Sequence, residues 1–457
     1  MAKQIFIVGA KRTPFGSFGG SLKSWTPTQL GAHAAKAALA QAGVDGALVD
    51  TTVIGNVQQT SHDSVYLARH VALEAGVKVE APSLTVNRLC GSGFQSVISV
   101  AQDMQSGDAE IGIAGGAESM SSAPYSVRGT RWGSPLGVNP ELIDTLWEGL
   151  NDAREKMPMA MTAEKLAEQY SVDKAAADEL AFRSQDLWKK ANEAGTFDAE
   201  IAPITLKTKK GETTMAHDEH ARPEASLESI AKLKALFKKD GVVSAGNASG
   251  ISDGAGAIVL ATEDAVTEHG LTPLARLVGW HCSGVDPSIM GIGPVPSITG
   301  LLAKTGYALE DIDRCVASLH EPVCCSVRLA ARLARGRAVL ADRVATLTAP
   351  VLYAARRSTR APMHAPIASP ALPPSIEINE AFSAQLASCE KALGVDRAKL
   401  NVNGGAVAMG HPTGASGSRI TAHLAHQMAA DSSIKLAIGS ACIGGGQGIA
   451  LLLERVD

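Results

Sequence analysis

Short apolar runs bounded by glycine or proline alternate along this chain with stretches of helical periodicity. That is the pattern of strands covered by helices in an α/β fold. The chain enters on an apolar strand at residues 5–8. In the first half, residues 83–87 read as a strand, and Phe94, Val97, Ile98 and Ala101 then recur at helical spacing. A strand at 111–114 follows and runs into Gly115-Gly116. In the second half, residues 400–403 read as a strand, followed by a glycine-rich loop and a helix through Ile420 and Leu424. The next strand ends in Gly444, Gly445 and Gly446. Each half sets a reactive residue just after a Val-Asn pair: Cys90 after Val86-Asn87, and His411 after Val402-Asn403. The repetition predicts an internal duplication, with two related βαβ-rich halves spanning 1–268 and 269–457.

Between residues 119 and 246 the pattern changes to charged amphipathic stretches such as 163–190 and 229–239, with few β-branched runs. This predicts a helical excursion inserted in the first half, suited to covering a ligand.

The chain has 457 residues, 45% hydrophobic and 19% charged, enough to bury a large core. Its 42 basic and 46 acidic residues are too balanced for a nucleic-acid binder or a protein held electrostatically at a membrane. The longest apolar stretch near the C-terminus, 438–453, is glycine-rich and shorter than the roughly 20 residues of a spanning helix. No membrane span is expected. Seven cysteines without CxxC or Cys/His ligand spacing argue against a disulfide framework and against a metal site, and imply a reducing compartment. Residues 1–44 hold no Asp or Glu but carry Lys3, Lys11, Arg12, Lys23 and Lys36. Because they run straight into a strand, no cleavable presequence is expected. A basic surface accounts for them on residues alone, and an uncleaved matrix-targeting terminus is the other reading.

Cys90 sits at a strand-to-helix turn in Leu89-Cys90-Gly91-Ser92-Gly93, whose glycines permit close backbone approach. At a helix N-terminus the macrodipole favours thiolate, which predicts a lowered pKa and a nucleophile. A small buried hydrophobe is the other fate of such a cysteine. In Met409-Gly410-His411-Pro412-Thr413-Gly414, Pro412 keeps His411 out of helical geometry, so its ring can reach a thiol from another loop. Ser440-Ala441-Cys442-Ile443-Gly444 offers a second thiol beside glycine N–H groups. Together they supply an acid/base and an oxyanion site, both of which carbon–carbon chemistry needs. Asn379, after the apolar strand at 376–378, can fix a water or donate to an oxyanion. Each motif alone is also compatible with ordinary packing.

Taken together and in this order, the motifs resemble those of the thiolase family. The stretches Tyr66-Leu67-Ala68-Arg69-His70-Val71, Pro158-Met159-Ala160-Met161 and Asp218-Glu219-His220-Ala221-Arg222-Pro223 extend the resemblance toward the branch that cleaves 3-ketoacyl-CoA in mitochondria. The resemblance implies a thiolase fold with a helical loop domain at about 119–246. It also implies a ping-pong acyltransferase reaction of fatty-acid β-oxidation, in which His411 activates Cys90 and Cys90 takes the acyl group. Cys442 would protonate the departing acetyl-CoA enolate. His411 and a water on Asn379 would form one oxyanion site, and the N–H groups of Cys90 and Gly444 the other. By the same resemblance Arg222 would meet the nucleotide phosphates, Ser229, Ala245 and Ser249 would line the pantetheine tunnel, and Met159, Met290 and Phe382 the acyl end. Coenzyme A and acyl-CoA are then substrates, and no cofactor is implied. A homotetramer joined near residues 119–138 and a matrix location are implied as well, with the cytoplasm as the alternative. An acetoacetyl-CoA thiolase shares these catalytic residues. A noncatalytic acyl-CoA-binding protein on the same scaffold is the reading of another class.

Residues 315–375 have no counterpart in the family. Their 61 residues hold eight Arg, no Lys, seven Pro and one Gly. We read them as a translated retained intron, with a regulatory or RNA-binding insertion as the competing reading.

Overall fold

The computed structural model describes residues 3–209, 211–313 and 376–456. The segment 315–375 therefore lies outside the described residues.

Besides a two-residue strand at Gly16–Ser17, five strands form the first half of the main sheet: β1 (Ile5–Arg12), β2 (Thr51–Gly55), β3 (Ser83–Val86), β4 (Ile111–Ser119) and β5 (Ser252–Thr262). Four form the second: β6 (Ala275–Gly284), β7 (Ile376–Ile378), β8 (Leu436–Ile443) and β9 (Gln447–Glu454). In the first half β3, β2 and β4 run parallel, then β5 pairs antiparallel to β4 and β1 antiparallel to β5. The second half repeats this order. Leu400 bridges parallel to Ile376, β7 is parallel to β8, and β9 and β6 follow antiparallel. Two residue pairs, Phe6 with Arg276 and Ile7 with Ala275, join the halves edge to edge. The duplication read from the sequence is thus a duplication of topology. The expected strand at 400–403 is reduced to isolated bridges, Leu400 to Ile376 and Val402 to Gly404, because left-handed Asn401 (φ 49°) and Gly404 (φ 79°) break the extended backbone.

Alternate residues of one strand serve different cores, as the period of two requires. Ile5 and Ile7 of β1 face one cluster while Phe6 and Val8 face another. Ile449, Leu451 and Leu453 of β9 share the cluster of Ile5, and Ala450 and Leu452 face a third. Helices α1 (Pro27–Ala42) and α2 (Ser92–Ser106) belong to the first half, and α3 (Met159–Gln169) and α4 (Lys174–Glu193) to the excursion. Helices α5 (Pro294–Thr305), α6 (Ser383–Leu393) and α7 (Ser416–Ala430) belong to the second half. The shared cluster holds Phe94 and Val97 of α2 with Ile420 and Leu424 of α7, so these two helices lie between the two halves. Leu30 and Ala34 of α1 cover the outer face of the first half, and Leu301 of α5 and Leu386 of α6 that of the second.

Helix α7 is buried on every side from Ser416 to Ala425, which fits a helix between two sheets. Its polar residues are paired: Arg419 with Glu377, and His423 Nδ1 with Glu200 Oε2 at 2.6 Å. Glu200 also accepts from Arg12 Nε at 2.6 Å, and Asp218 from Arg12 Nη1 at 2.6 Å. Burial alone would raise Glu200, but His423 and Arg12 hold it down to about 2. This buried ion cluster ties β1 and α7 to the excursion.

The excursion is less helical than its composition predicts. α3 and α4 account for the stretch at 163–190, but of 229–239 only the end of a short helix, Leu227–Ala231, forms. Three two-stranded hairpins fill much of the rest, among them Ile204–Thr208 with Gly211–Met215. Just after 229–239, Glu164 of α3 accepts from the N–H groups of Val242 and Val243 and fixes the chain there.

Glycines set the closest approach in the molecule's middle. A Cβ on Gly93 would lie 2.5 Å from the backbone nitrogen of Ser418, and one on Gly417 2.3 Å from that of Phe94. Helices α2 and α7 therefore touch backbone to backbone. Gly93→Val should cost about 3 kcal/mol, the upper part of the usual range for overpacking, read as a fall in the urea midpoint. A midpoint equal to that of the unsubstituted chain would contradict the contact.

Candidate active site

Cys90 and His411 occupy equivalent places in the two halves, on the loops that lead into α2 and α7. Leu89, just before Cys90, is held at φ 46°, a region costly to a branched side chain. Cys442 lies near the end of β8 and Asn379 just beyond β7, where Asn379 N–H donates to Ser440 O at 2.9 Å. Because β7 and β8 are parallel, both residues emerge at the same end of the sheet.

Ser416 Oγ lies 2.6 Å from His411 Nδ1 and 3.1 Å from Pro412 O. When Ser416 gives its proton to Pro412 O it accepts from Nδ1–H, and the Nε2 lone pair is free. Asn379 Nδ2 lies 3.4 Å from that Nε2, while Asn379 Oδ1 is buried without a partner among the described residues. Burial, reinforced by Arg419, pushes His411 down to about 4, so the ring is neutral and basic at Nε2 near pH 7.

The thiol at Cys90 departs from expectation. Burial pushes it up to about 11, and the charge of Glu118 adds to the rise. The N–H groups of Gly444 and of Cys90 itself do point at the sulfur and favour thiolate, as the helix-start position predicted. Desolvation outweighs them. Cys442 is pushed well above its ordinary value by burial and by the nearness of Cys90 and Cys389. At rest the site thus holds two neutral thiols and a neutral imidazole.

Cys90, His411 and Gly444 open on one cavity of about 240 Å³, lined also by Met159, Met290, Phe382, Ala245 and Ser249. Its wall is mainly apolar, and the sequence reading missed part of it: Trp147, Leu150, Leu236 and Phe237 of the excursion, and Thr413 beside His411. Cys442 and Asn379 stand behind this surface, Cys442 packed with Met290 and Ala381. Arg222 and Ser229 are exposed and are not part of the lining. Arg222 donates to His220 O at 2.7 Å, and Ser229 completes the capping box of the short helix at 227–231. The aromatic members gave little sequence signal: Trp147 sits outside the periodic stretches, and Phe237 sits in 229–239, which reads as an ordinary amphipathic helix. Ser416 stood in plain view, five residues after His411, but only the distance to Nδ1 reveals its part.

Models of the thiolase N-terminal and C-terminal domains match residues 5–264, and 271–327 with 373–455. The chain belongs to the thiolase family. The mitochondrial 3-ketoacyl-CoA thiolase of Bos taurus is 48% identical over 100% of this chain and 99% of its own length, and that of Homo sapiens 47% over 99% of both. Among solved structures, the human mitochondrial 3-ketoacyl-CoA thiolase in complex with CoA superposes with a TM-score of 0.84 at 46% identity, covering 100% of both chains. The acetyl-CoA acetyltransferase of Bacillus anthracis gives 0.83 at 38%, covering 100% of this chain and 99% of its own. The α/β thiolase fold anticipated from the motifs is therefore present.

A resting thiol at this thiolase site should alkylate slowly at neutral pH. The pseudo-first-order rate of Cys90 modification by iodoacetamide should keep rising about tenfold per pH unit through pH 9. A plateau below pH 8 would mean that the N–H groups win over burial.

Proposed function

We propose that this thiolase is an acetyl-CoA C-acyltransferase that cleaves 3-ketoacyl-CoA with CoA, as in fatty-acid β-oxidation. The observation that carries this is that Cys90 and His411 line one largely apolar cavity, with Asn379 beside His411 and Cys442 packed behind Met290 of its wall. Mitochondrial 3-ketoacyl-CoA thiolases as full-length relatives give it further support.

Each group has a task that its surroundings suit. Neutral His411 takes the Cys90 proton at Nε2 as the sulfur attacks C3 of the substrate. Any carbon bonded to that sulfur sets its oxygen toward the N–H groups of Cys90 and Gly444, which receive the oxyanion. The C2–C3 bond then breaks, leaving an acyl group on Cys90 and the enolate of acetyl-CoA. Cys442, kept protonated by burial, delivers its proton to C2. His411, with a water held by Asn379, faces the thioester oxygen of that enolate. A second CoA removes the acyl group from Cys90. Met159, Met290 and Phe382 receive the acyl end, and Ala245 and Ser249 the pantetheine arm. Arg222 and Ser229, exposed outside the cavity, are left to the nucleotide. CoA enters as substrate, and the cycle uses no cofactor.

We further propose a homotetramer. Trp132 and Leu136 are fully exposed, with Tyr125, Val138 and Leu142 also open to solvent within one stretch, more apolar surface than a monomer usually leaves bare. Strand β3 is an unpaired edge with Leu84 exposed. Two such surfaces serve the two kinds of contact that a dihedral tetramer needs. The mitochondrial relatives and the acid-free stretch at residues 1–44 favour the matrix.

Thiolysis of C4 to C16 3-ketoacyl-CoAs, with and without residues 315–375, tests the activity. Cys90→Ala should abolish it by at least ~10⁴-fold. Cys442→Ser should lower thiolysis by ~10²–10⁴-fold, yet spare exchange of acetyl groups between acetyl-CoA and labelled CoA, which needs Cys90 and His411 but not Cys442. Loss of both together would reject the assigned role of Cys442. In sedimentation, Trp132→Asp should reduce the assembly below a tetramer, and an unchanged mass would exclude that stretch from the interface.

A further inference from the structure

The mechanism leaves one buried carboxylate near Cys90 without a task. Glu118, next to last in β4, is fully buried and, among the described residues, paired with no cation. Its carboxylate instead accepts from five neutral donors. Asn56 Nδ2 and Gln58 N–H meet Oε1 at 3.1 and 3.0 Å. Val57 N–H, Thr413 Oγ1 and Gly414 N–H meet Oε2 at 3.0, 3.0 and 2.9 Å. Three donors belong to the turn after β2, and two to the loop that carries His411.

That loop has no slack. A Cβ on Gly116 would lie 1.9 Å from Gly414 O, and one on Gly414 2.8 Å from Glu118 Oε2. Thr413 shares the cavity wall with Cys90 and His411. A carboxylate suits this point because it alone among side chains accepts so many bonds and donates none when ionised. A neutral amide would put N–H groups against N–H groups. Structural economy does not account for the choice, since an unpaired buried charge is costly unless its bonds repay it. The charge is also felt at the reaction centre, where it disfavours the Cys90 thiolate.

We propose, resting on the thiolase reading above, that Glu118 is a positioning residue for the reaction, an ionised carboxylate that fixes the His411 loop against the turn after β2. It touches neither substrate nor the reacting atoms. Burial raises Glu118 itself to about 7, so it is ionised over the alkaline range in which Cys90 titrates. Cys90 is the titratable group it acts on, and the five groups bonded to it are uncharged.

Glu118→Gln and Thr413→Val in the full chain test this. Glu118→Gln should lower kcat for thiolysis about 10–100-fold, the cost of a misplacement near 1 Å, with KM changed less than about threefold. Its Cys90 alkylation profile should move to lower pH by roughly one unit. Thr413→Val removes one tie but keeps the charge, so kcat should fall several-fold with the alkylation profile unmoved. Full turnover by a folded Glu118→Gln chain, or an unmoved alkylation profile in it, overturns the proposal. If Glu118→Gln does not fold, wild-type kcat in Thr413→Val overturns it instead. The alkylation arm needs no turnover, so it still reads Glu118 should the unsubstituted chain prove unable to cleave 3-ketoacyl-CoA.

Discussion

Backbone-to-backbone contact between α2 and α7 is the constraint on which the rest of the molecule depends. Gly93 and Gly417 let the starts of these helices meet without side chains between them, and Cys90 and His411 lie on the loops that enter them. Close approach of two helices in a core between two sheets is also why α7 must be buried all round. Its two long buried polar side chains, Arg419 and His423, are held there by the carboxylates of Glu377 and Glu200. The pairing of His423 with Glu200, and of Glu200 with Arg12, then carries the constraint outward to β1 and to the excursion that supplies much of the cavity wall.

Much of this was legible in the sequence. The strands around Cys90 and Cys442 follow from apolar runs ending in glycine, and α2 from the spacing of Phe94, Val97, Ile98 and Ala101. The duplication was visible in the two Val-Asn pairs, since equivalent strands precede equivalent loops. What sequence did not reveal depends on partners distant along the chain. The stretch at 229–239 has helical composition, but its neighbour at 242–243 is organised by Glu164, some eighty residues earlier. Trp147 enters the cavity from outside the periodic stretches, and Phe237 from the stretch that reads as a helix but does not form one. Glu118 lies in a strand, where one acidic residue among apolar ones has no local meaning. Its five donors come from two other loops.

The expectation for Cys90 failed in an instructive way. A helix start offers N–H groups and a favourable dipole, and both are present. Yet the apolar walls that suit a fatty acyl chain also strip water from the sulfur, and removal of water is the larger effect. The same dryness pushes His411 down and Cys442 up, so every group that must move a proton begins uncharged. Charge appears only with the substrate in place, where fixed N–H groups can meet it, and a site of this kind loses little reactivity to bulk water.

Cys90 and His411 sit at one and the same position of a repeated unit. In a dimer of identical units, as an ancestor of this fold would have been, the two turns facing each other across the twofold axis had to carry the same residue. Fusion into one chain released that symmetry. One copy of the turn could become a nucleophile and the other its base, a division of labour closed to an isologous pair, and the glycine contact between α2 and α7 preserves the old axis at which they still meet.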